Sequence, residues 1–285
     1  MKAAASCFGA GTIVNAIATG KGAAFGLGLR ANATAVVRSK AGGIEVHVPP
    51  GIDTVLAEAT ARRVLRRSRR KAGIEVTVDS EIPISRGLKS SSAVANAIAL
   101  ATCRALELDM DPMQIIHLTV DAAVEARVTI TGAFDDACAS FFGGVVVTDN
   151  TARRILRTDR LTEGLVAVVH VPRRMITKAS LAGVDFSPIR EEVDATFRLA
   201  LEGDYFRAME RNSAAYAKIL EIDESPAIRA RAAGAMAAGI TGTGPAIIAL
   251  TKPVHLDAVS KALAADDAEV RAVGLNTIEA REVVP

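Results

Sequence analysis

Pro83-Ile84-Ser85-Arg86-Gly87-Leu88-Lys89-Ser90-Ser91-Ser92-Ala93 leads into a run in which Val94, Ala97, Ile98, Ala101, Ala105 and Leu108 share one stripe at 3.6-residue spacing. The stripe predicts a helix over 90–108, so a glycine and three hydroxyls stand just before its start and within its first turn. The first N–H groups of a helix have no partner inside it, and the helix dipole is positive at that end. A phosphate can dock there, with Gly87 letting the backbone come close and the serine hydroxyls adding hydrogen bonds or a metal ligand. A serine N-cap after a turn is the plain alternative, and spacing alone does not choose between them.

Outward from this stretch, residues 74–78 alternate apolar and polar as a half-buried strand does, and 53–72 read as a helix. Residues 44–48 and 33–37 read as strands, the latter inside a Gly- and Ala-rich N-terminal region. Asp111-Pro112 opens a second helix toward residue 126, with proline early, where its missing N–H does no harm. Residues 141–147 read as a strand interrupted by glycines. The polar, Arg-bearing stretch 149–163 marks the domain boundary, giving domains 1–160 and 161–285. Beyond it come a strand at 165–171, helices near 188–202, 204–220 and 225–237, and a loop at 239–245. A strand at 246–250, a helix at 255–265 and a strand at 268–273 follow. Helices and strands mix without regular βαβ alternation, so the fold class is α+β.

Composition narrows the function classes. Half of the 285 residues are hydrophobic and 23% are charged, which excludes a mostly disordered chain. The absence of Trp, with two Tyr and eight Phe, implies a core of Ala, Val, Leu and Ile. Lys and Arg total 34 against 32 acidic residues, a net charge of +2, which argues against a nucleic-acid partner. Arg62, Arg63, Arg66, Arg67, Arg69, Arg70 and Lys71 form a basic run that reads as a solvated helix face. Cys7, Cys103 and Cys138 form no CxxC pair, so neither a disulfide framework nor a zinc site is expected, and free thiols suit a reducing cytoplasm. Gly9, Gly11 and Asn15 break up the apolar start as a signal peptide, and Gly239, Gly242, Gly244 and Pro245 break the uncharged run 232–251, so no membrane partner is expected. His47, His117, His170 and His255 share no spacing, and no Ser-His-Asp or Cys-His set stands out. A Walker A loop fails at both ends of Asn15-Ala-Ile-Ala-Thr-Gly20-Lys21-Gly22.

The Pro-x-x-x-Gly-Leu-x-Ser-Ser stretch resembles the nucleotide loop of the GHMP kinase superfamily. Thr19-Gly20-Lys21 with Phe25-Gly26 is similar to its N-terminal motif, and Gly239-Ile-Thr-Gly242-Thr-Gly244-Pro245-Ala246 to its C-terminal Gly-rich motif. Gly132-Ala-Phe-Asp135-Asp136-Ala137 is similar to the segment bearing the catalytic aspartate, with one more residue between glycine and aspartate. Within the superfamily, the stretches 9–22, 87–93 and 134–140 most resemble archaeal-type shikimate kinase.

The resemblance implies an N-terminal domain like domain 2 of ribosomal protein S5, a ferredoxin-like C-terminal domain and an active site between them. It implies ATP and Mg²⁺ as cofactors and a cytoplasmic enzyme that phosphorylates the 3-hydroxyl of shikimate, a step toward chorismate and aromatic amino acids. Homoserine kinase or another small-alcohol kinase is the alternative on the same scaffold, and a non-catalytic nucleotide sensor is the alternative of another class. Asp135 would accept or orient the substrate proton, and Lys21 would stabilise charge at the transferring phosphoryl. Residues Pro83, Ile84, Ser85, Arg86, Gly87, Leu88, Lys89, Ser90, Ser91, Ser92 and Ala93 would hold ATP. Ser91 and Glu125 would hold the metal, while Asp136 would support the fold. A substrate carboxylate calls for a basic residue, for which Arg127, Arg173, Arg174 and Lys178 stand as candidates. Asn15, Thr241 and Gly242 would meet its hydroxyls.

Overall fold

The computed structural model describes residues 1–38, 42–50, 52–129, 131–176, 181 and 183–283. Two long strands organise it. β1 (Lys2–Val14) and β2 (Lys21–Arg38) pair antiparallel from Lys2↔Val36 to Val14↔Ala23. After Lys2 every residue of β1 is buried, so the strand does not alternate, as is usual when both faces of a sheet are covered. β3 (Ile44–His47) runs parallel to β4 (Gly73–Ser80), and β4 pairs antiparallel with β2. Between these two strands lies α1 (Thr54–Ser68), its start capped by the Asp53 side chain, which accepts from the N–H groups of Val55 and Leu56.

α2 (Ser90–Ala105) packs across β1 and β2. Its buried Ala93, Ala97, Ala101 and Ala105, facing Ala5, Ala31, Ala33 and Ala35 of the same core, let helix and sheet come close. That is why so alanine-rich a chain builds a core with few aromatic rings. α3 (Pro112–Glu125) begins with a reciprocal cap. Asp111 accepts from the Gln114 N–H at 2.9 Å, and the Gln114 side chain accepts from the Asp111 N–H at 3.2 Å. α4 (Phe134–Phe142) leads into β5 (Val145–Asp149), which pairs with the first residues of β2 and with β6 (Arg154–Asp159).

The second sheet is antiparallel. It contains β7 (Val166–Pro172), β8 (Ala237–Ile240), β9 (Ile247–Thr251) and β10 (Ala268–Gly274) in the order β10-β7-β9-β8. α5 (Arg190–Glu202), α6 (Tyr205–Leu220) and α7 (Ser225–Ala232) connect β7 to β8, and α8 (Leu256–Leu263) connects β9 to β10. Both α5 and α6 also touch β1, so one apolar core runs through both sheets. β11 (Arg281–Val283) then returns to pair with β1.

Four expectations change in detail. Residues 141 and 142 end α4, and the glycine-interrupted strand begins only after Gly143 and Gly144. The polar stretch 149–163 contains β6, an edge strand that alternates exposed and half-buried residues, so polarity there marks an edge of the first sheet. The helix expected to reach 237 stops at Ala232, and residues 237–240, expected in part as loop, form β8. β11, in the C-terminal part of the chain, belongs to the first sheet, where no strand was expected. Among the described residues no helix is long and apolar enough to cross a membrane.

Candidate active site

A cavity of about 350 Å³ opens where the starts of α2 and α4 meet the turn at 242–243 and the segment after α3. Pro83, Ile84, Ser85, Gly87, Leu88, Lys89, Ser90, Ser91 and Ser92 all line it. No side chain caps α2. Its N-cap is Lys89 in the left-handed region (φ 64°, ψ 28°), and Ser90, Ser91 and Ser92 occupy the first three helical positions. The serine-cap alternative is therefore not what the chain builds. The positive end of a buried helix faces the cavity, the geometry that receives an anion.

Two glycines bring the C-terminal motif to this loop. Gly87 (φ +82°) and Gly242 (φ +59°) lie against each other's backbone, and a Cβ on Gly87 would run into the Thr241 carbonyl oxygen. Thr241 donates from Oγ1 to the Gly87 carbonyl at 2.9 Å, and the Gly242 N–H donates to Thr12 Oγ1 at 2.8 Å. Asn15 donates from Nδ2 to the Gly242 carbonyl at 2.7 Å. Segments more than 150 residues apart in sequence are thus stitched together beneath the cavity.

Asp135 sits in the first turn of α4 at 3% exposure and lines the cavity. Asn150 Nδ2 donates to its Oδ1 at 2.6 Å, while Asn150 Oδ1 accepts from the Asp135 N–H at 3.2 Å and the Thr148 hydroxyl at 2.8 Å. Two donors on Asn150 Oδ1 fix that amide, so its NH₂ must face the carboxylate. The other oxygen, Oδ2, lies over Gly22, where a Cβ would come within 2.5 Å. Burial, and next the neighbouring Asp136 carboxylate, push the Asp135 pKa up to about 6, against the pull of Lys89 and of the Asn150 hydrogen bond. Asp136 pairs with Lys89 Nζ at 2.6 Å.

Other expected residues fall outside the cavity lining. The Lys21 ammonium lies 3.4 Å from Asp194 and 5.8 Å from the Phe197 ring centroid. Glu125, the last residue of α3, accepts from Arg63 Nε at 2.8 Å and is a surface ion-pair partner rather than a cavity donor. Arg173 is 84% exposed in its side chain and turns to Asp267 at 3.1 Å, so its guanidinium does not reach the site. Arg86 donates from Nη2 to the Arg173 carbonyl at 2.8 Å, and desolvation lowers its pKa. Ala93 packs into the core and Thr241 is fully buried under the loop. Arg127, Asn15 and Gly242 do line the cavity. Arg174 is exposed, and Lys178 lies outside the described residues. Among the described residues no group of three or more His, Cys, Asp or Glu side chains could hold a metal.

Sequence reasoning missed Asn150 and set Asp136 aside. Asn150 lies in a polar stretch that looks like linker, and nothing local ties it to Asp135. Asp136 offered a signal in hindsight, since an acidic residue next to a buried carboxylate needs a cation nearby.

The model for the GHMP kinases N terminal domain matches residues 55–144, and that for the GHMP kinases C terminal domain matches residues 203–268. The chain is 42% identical to a shikimate kinase of Methanothrix thermoacetophila, over 92% of this chain and 90% of that one. It is 43% identical to a shikimate kinase of Thermococcus kodakarensis, over 87% and 91%. Its fold resembles the crystal structure of homoserine kinase from Cytophaga hutchinsonii, with a TM-score of 0.78 at 15% identity, covering 99% of this chain and 97% of that one. With both halves matched, with relatives above 40% identity along nearly the whole chain, and with the glycine loops, helix end and buried aspartate meeting in one cavity, the chain belongs to the GHMP kinases.

Proposed function

We propose that this chain is a shikimate kinase, transferring the γ-phosphoryl group of ATP to the 3-hydroxyl of shikimate and releasing ADP. The observation that carries the reading is the opposition, in one cavity, of an uncapped helix N-terminus and a buried carboxylate. The acceptor follows from the relatives of 36–43% identity, which bear the name shikimate kinase.

Phosphoryl transfer asks mainly for positioning and charge stabilisation. In this reading the N–H groups and hydroxyls at Ser90, Ser91 and Ser92 receive the ATP phosphates. Asp135 takes or holds the proton of the attacking hydroxyl. A carboxylate whose pKa stands near 6 is ionised at neutral pH yet basic enough to share a proton. Arg127, the cavity-lining arginine among the candidates, is assigned the shikimate carboxylate. Asn15 already uses Nδ2 on Gly242 and accepts from the Ile17 N–H, which leaves it a partial acceptor for a substrate hydroxyl.

Mg²⁺ belongs to the reading as the companion of ATP. The Ser91 hydroxyl lines the cavity, and Mg²⁺ keeps waters and phosphate oxygens as its other ligands, so a single protein donor fits. When bound it would neutralise phosphate charge. Glu125 joins such a site only by releasing Arg63.

Two expected results follow. In a coupled ADP-release assay with shikimate, homoserine and mevalonate side by side, shikimate has a kcat/KM at least about tenfold above homoserine, a difference of ~1.4 kcal/mol in transition-state binding. Equal or faster turnover of homoserine overturns the acceptor assignment and leaves the fold intact. The second result is a pH profile. The pKa of Asp135 is raised and its ionised form is the working one, so kcat/KM falls as pH drops through about 6 and is about tenfold lower at pH 5 than at pH 8. A rate that stays flat down to pH 5 would remove Asp135 from the proton path.

A further inference from the structure

We propose that Lys89, and not Lys21, supplies the ammonium group that meets the γ-phosphoryl group of the bound nucleotide, and that Asp136 holds it in place. The proposal rests on the kinase reading above.

Backbone geometry is the first observation. Lys89 holds φ 64° at the N-cap of α2, a conformation in which a residue with a Cβ is strained and glycine is not. The lysine side chain contributes no capping hydrogen bond that would offset this strain. Strain kept at such a position points to a use for the side chain.

The second observation is where that side chain goes. It is 7% exposed, and its Nζ lies 2.6 Å from Asp136 Oδ1. Both residues line the cavity. A buried ammonium is costly unless paired, and its partner is the residue next to Asp135. The pair therefore joins the phosphate loop to the segment that carries the working carboxylate. Lys21, by contrast, holds its ammonium near Asp194 and the Phe197 ring, on residues that do not line the cavity.

Chemistry makes the arrangement useful. Without nucleotide the two charges offset each other. A nucleotide seated on Ser90–92 brings γ-phosphate oxygens beside Lys89, and the ammonium can share its three N–H donors between Asp136 and those oxygens. As the acceptor O–P bond forms and the bond between Pγ and the β,γ-bridging oxygen breaks, the Lys89 ammonium faces the charge on the transferring group. Asp136 acts through Lys89 as a positioning residue.

The test has a binding arm and a turnover arm. In calorimetry, Lys89→Met weakens the non-hydrolysable analogue AMP-PNP at least about fivefold and leaves ADP within about twofold, since only the former carries a γ-phosphoryl group. Retained ADP binding also shows that the variant is folded. In turnover with shikimate, Lys89→Met lowers kcat at least about tenfold, Lys89→Arg recovers part of the loss, and the loss exceeds that in Lys21→Met. Asp136→Asn lowers kcat in the same direction by less. Equal weakening of AMP-PNP and ADP, no weakening of either, or a larger loss in Lys21→Met overturns the proposal. If the binding arm behaves as stated while the wild-type protein leaves shikimate untouched, the acceptor reading fails and the role of Lys89 stands.

Discussion

Asp135→Asn lowers kcat by about 10²–10⁴-fold, the usual worth of a positioned acid or base, and leaves ATP affinity within about tenfold, or ~1.4 kcal/mol. The substitution keeps the size of the side chain and one acceptor oxygen but removes charge and basicity. An alcohol is a poor nucleophile until its proton is held or accepted, and Asp135 is the buried carboxylate of the cavity. The nucleotide should scarcely notice, because Ser90, Ser91 and Ser92 belong to another helix. Steady-state kinetics with shikimate varied at saturating ATP gives the first quantity, and calorimetry with AMP-PNP the second. A loss under about fivefold is incompatible with a base and leaves positioning alone as the source of rate. Loss of nucleotide binding together with activity would make Asp135 a support of the fold or the metal.

Gly22→Ala is expected to cost about 10²-fold in kcat while the protein stays folded. Gly22 is the second residue of β2, and its backbone does not require glycine. Space is the constraint. A methyl group there would stand 2.5 Å from Asp135 Oδ2, 2.8 Å from Asp135 Cγ and 3.1 Å from Ala16 Cβ. Asn150, itself fixed by the Thr148 hydroxyl, holds the other carboxylate oxygen, so the carboxylate has to swing away from its position. A shift of about 1 Å at a reacting group is enough for a loss of that size, whereas the overpacking itself costs about 1–3 kcal/mol of stability. Retained ADP binding and a cooperative thermal transition establish that the variant is folded. Turnover within about threefold of wild type would mean that Asp135 does not need this placement.

How far the sequence revealed this site depends on how local each signal is. The loop and helix start at 83–93 were legible as local structure because glycine, serines and a 3.6-residue stripe lie within a few residues of one another. α3 was legible for the same reason, its proline and capping aspartate adjoining at the start. The long strands β1 and β2 were less legible. Alanine and glycine are poor strand formers, and it is burial under α2, α5 and α6 that holds them in the sheet. Glu125 misled because spacing along the chain says nothing about direction, and Arg63, 62 residues earlier, claims its carboxylate. Arg173 was misread in the same way, with Asp267 as the claimant. Asn150 was invisible because its partner lies across a turn from a different element. Motif resemblance singled out Asp135, which lines the cavity, but only geometry displays the amide that holds it.

The most direct test of the account is the identity of the product. Purified protein with ATP, Mg²⁺ and shikimate, followed by phosphorus and proton NMR, should yield a monophosphate ester at the 3-hydroxyl with one ADP formed for each ester. Release of ADP with free phosphate and unchanged shikimate, or a phosphate ester formed on homoserine and not on shikimate, would contradict it.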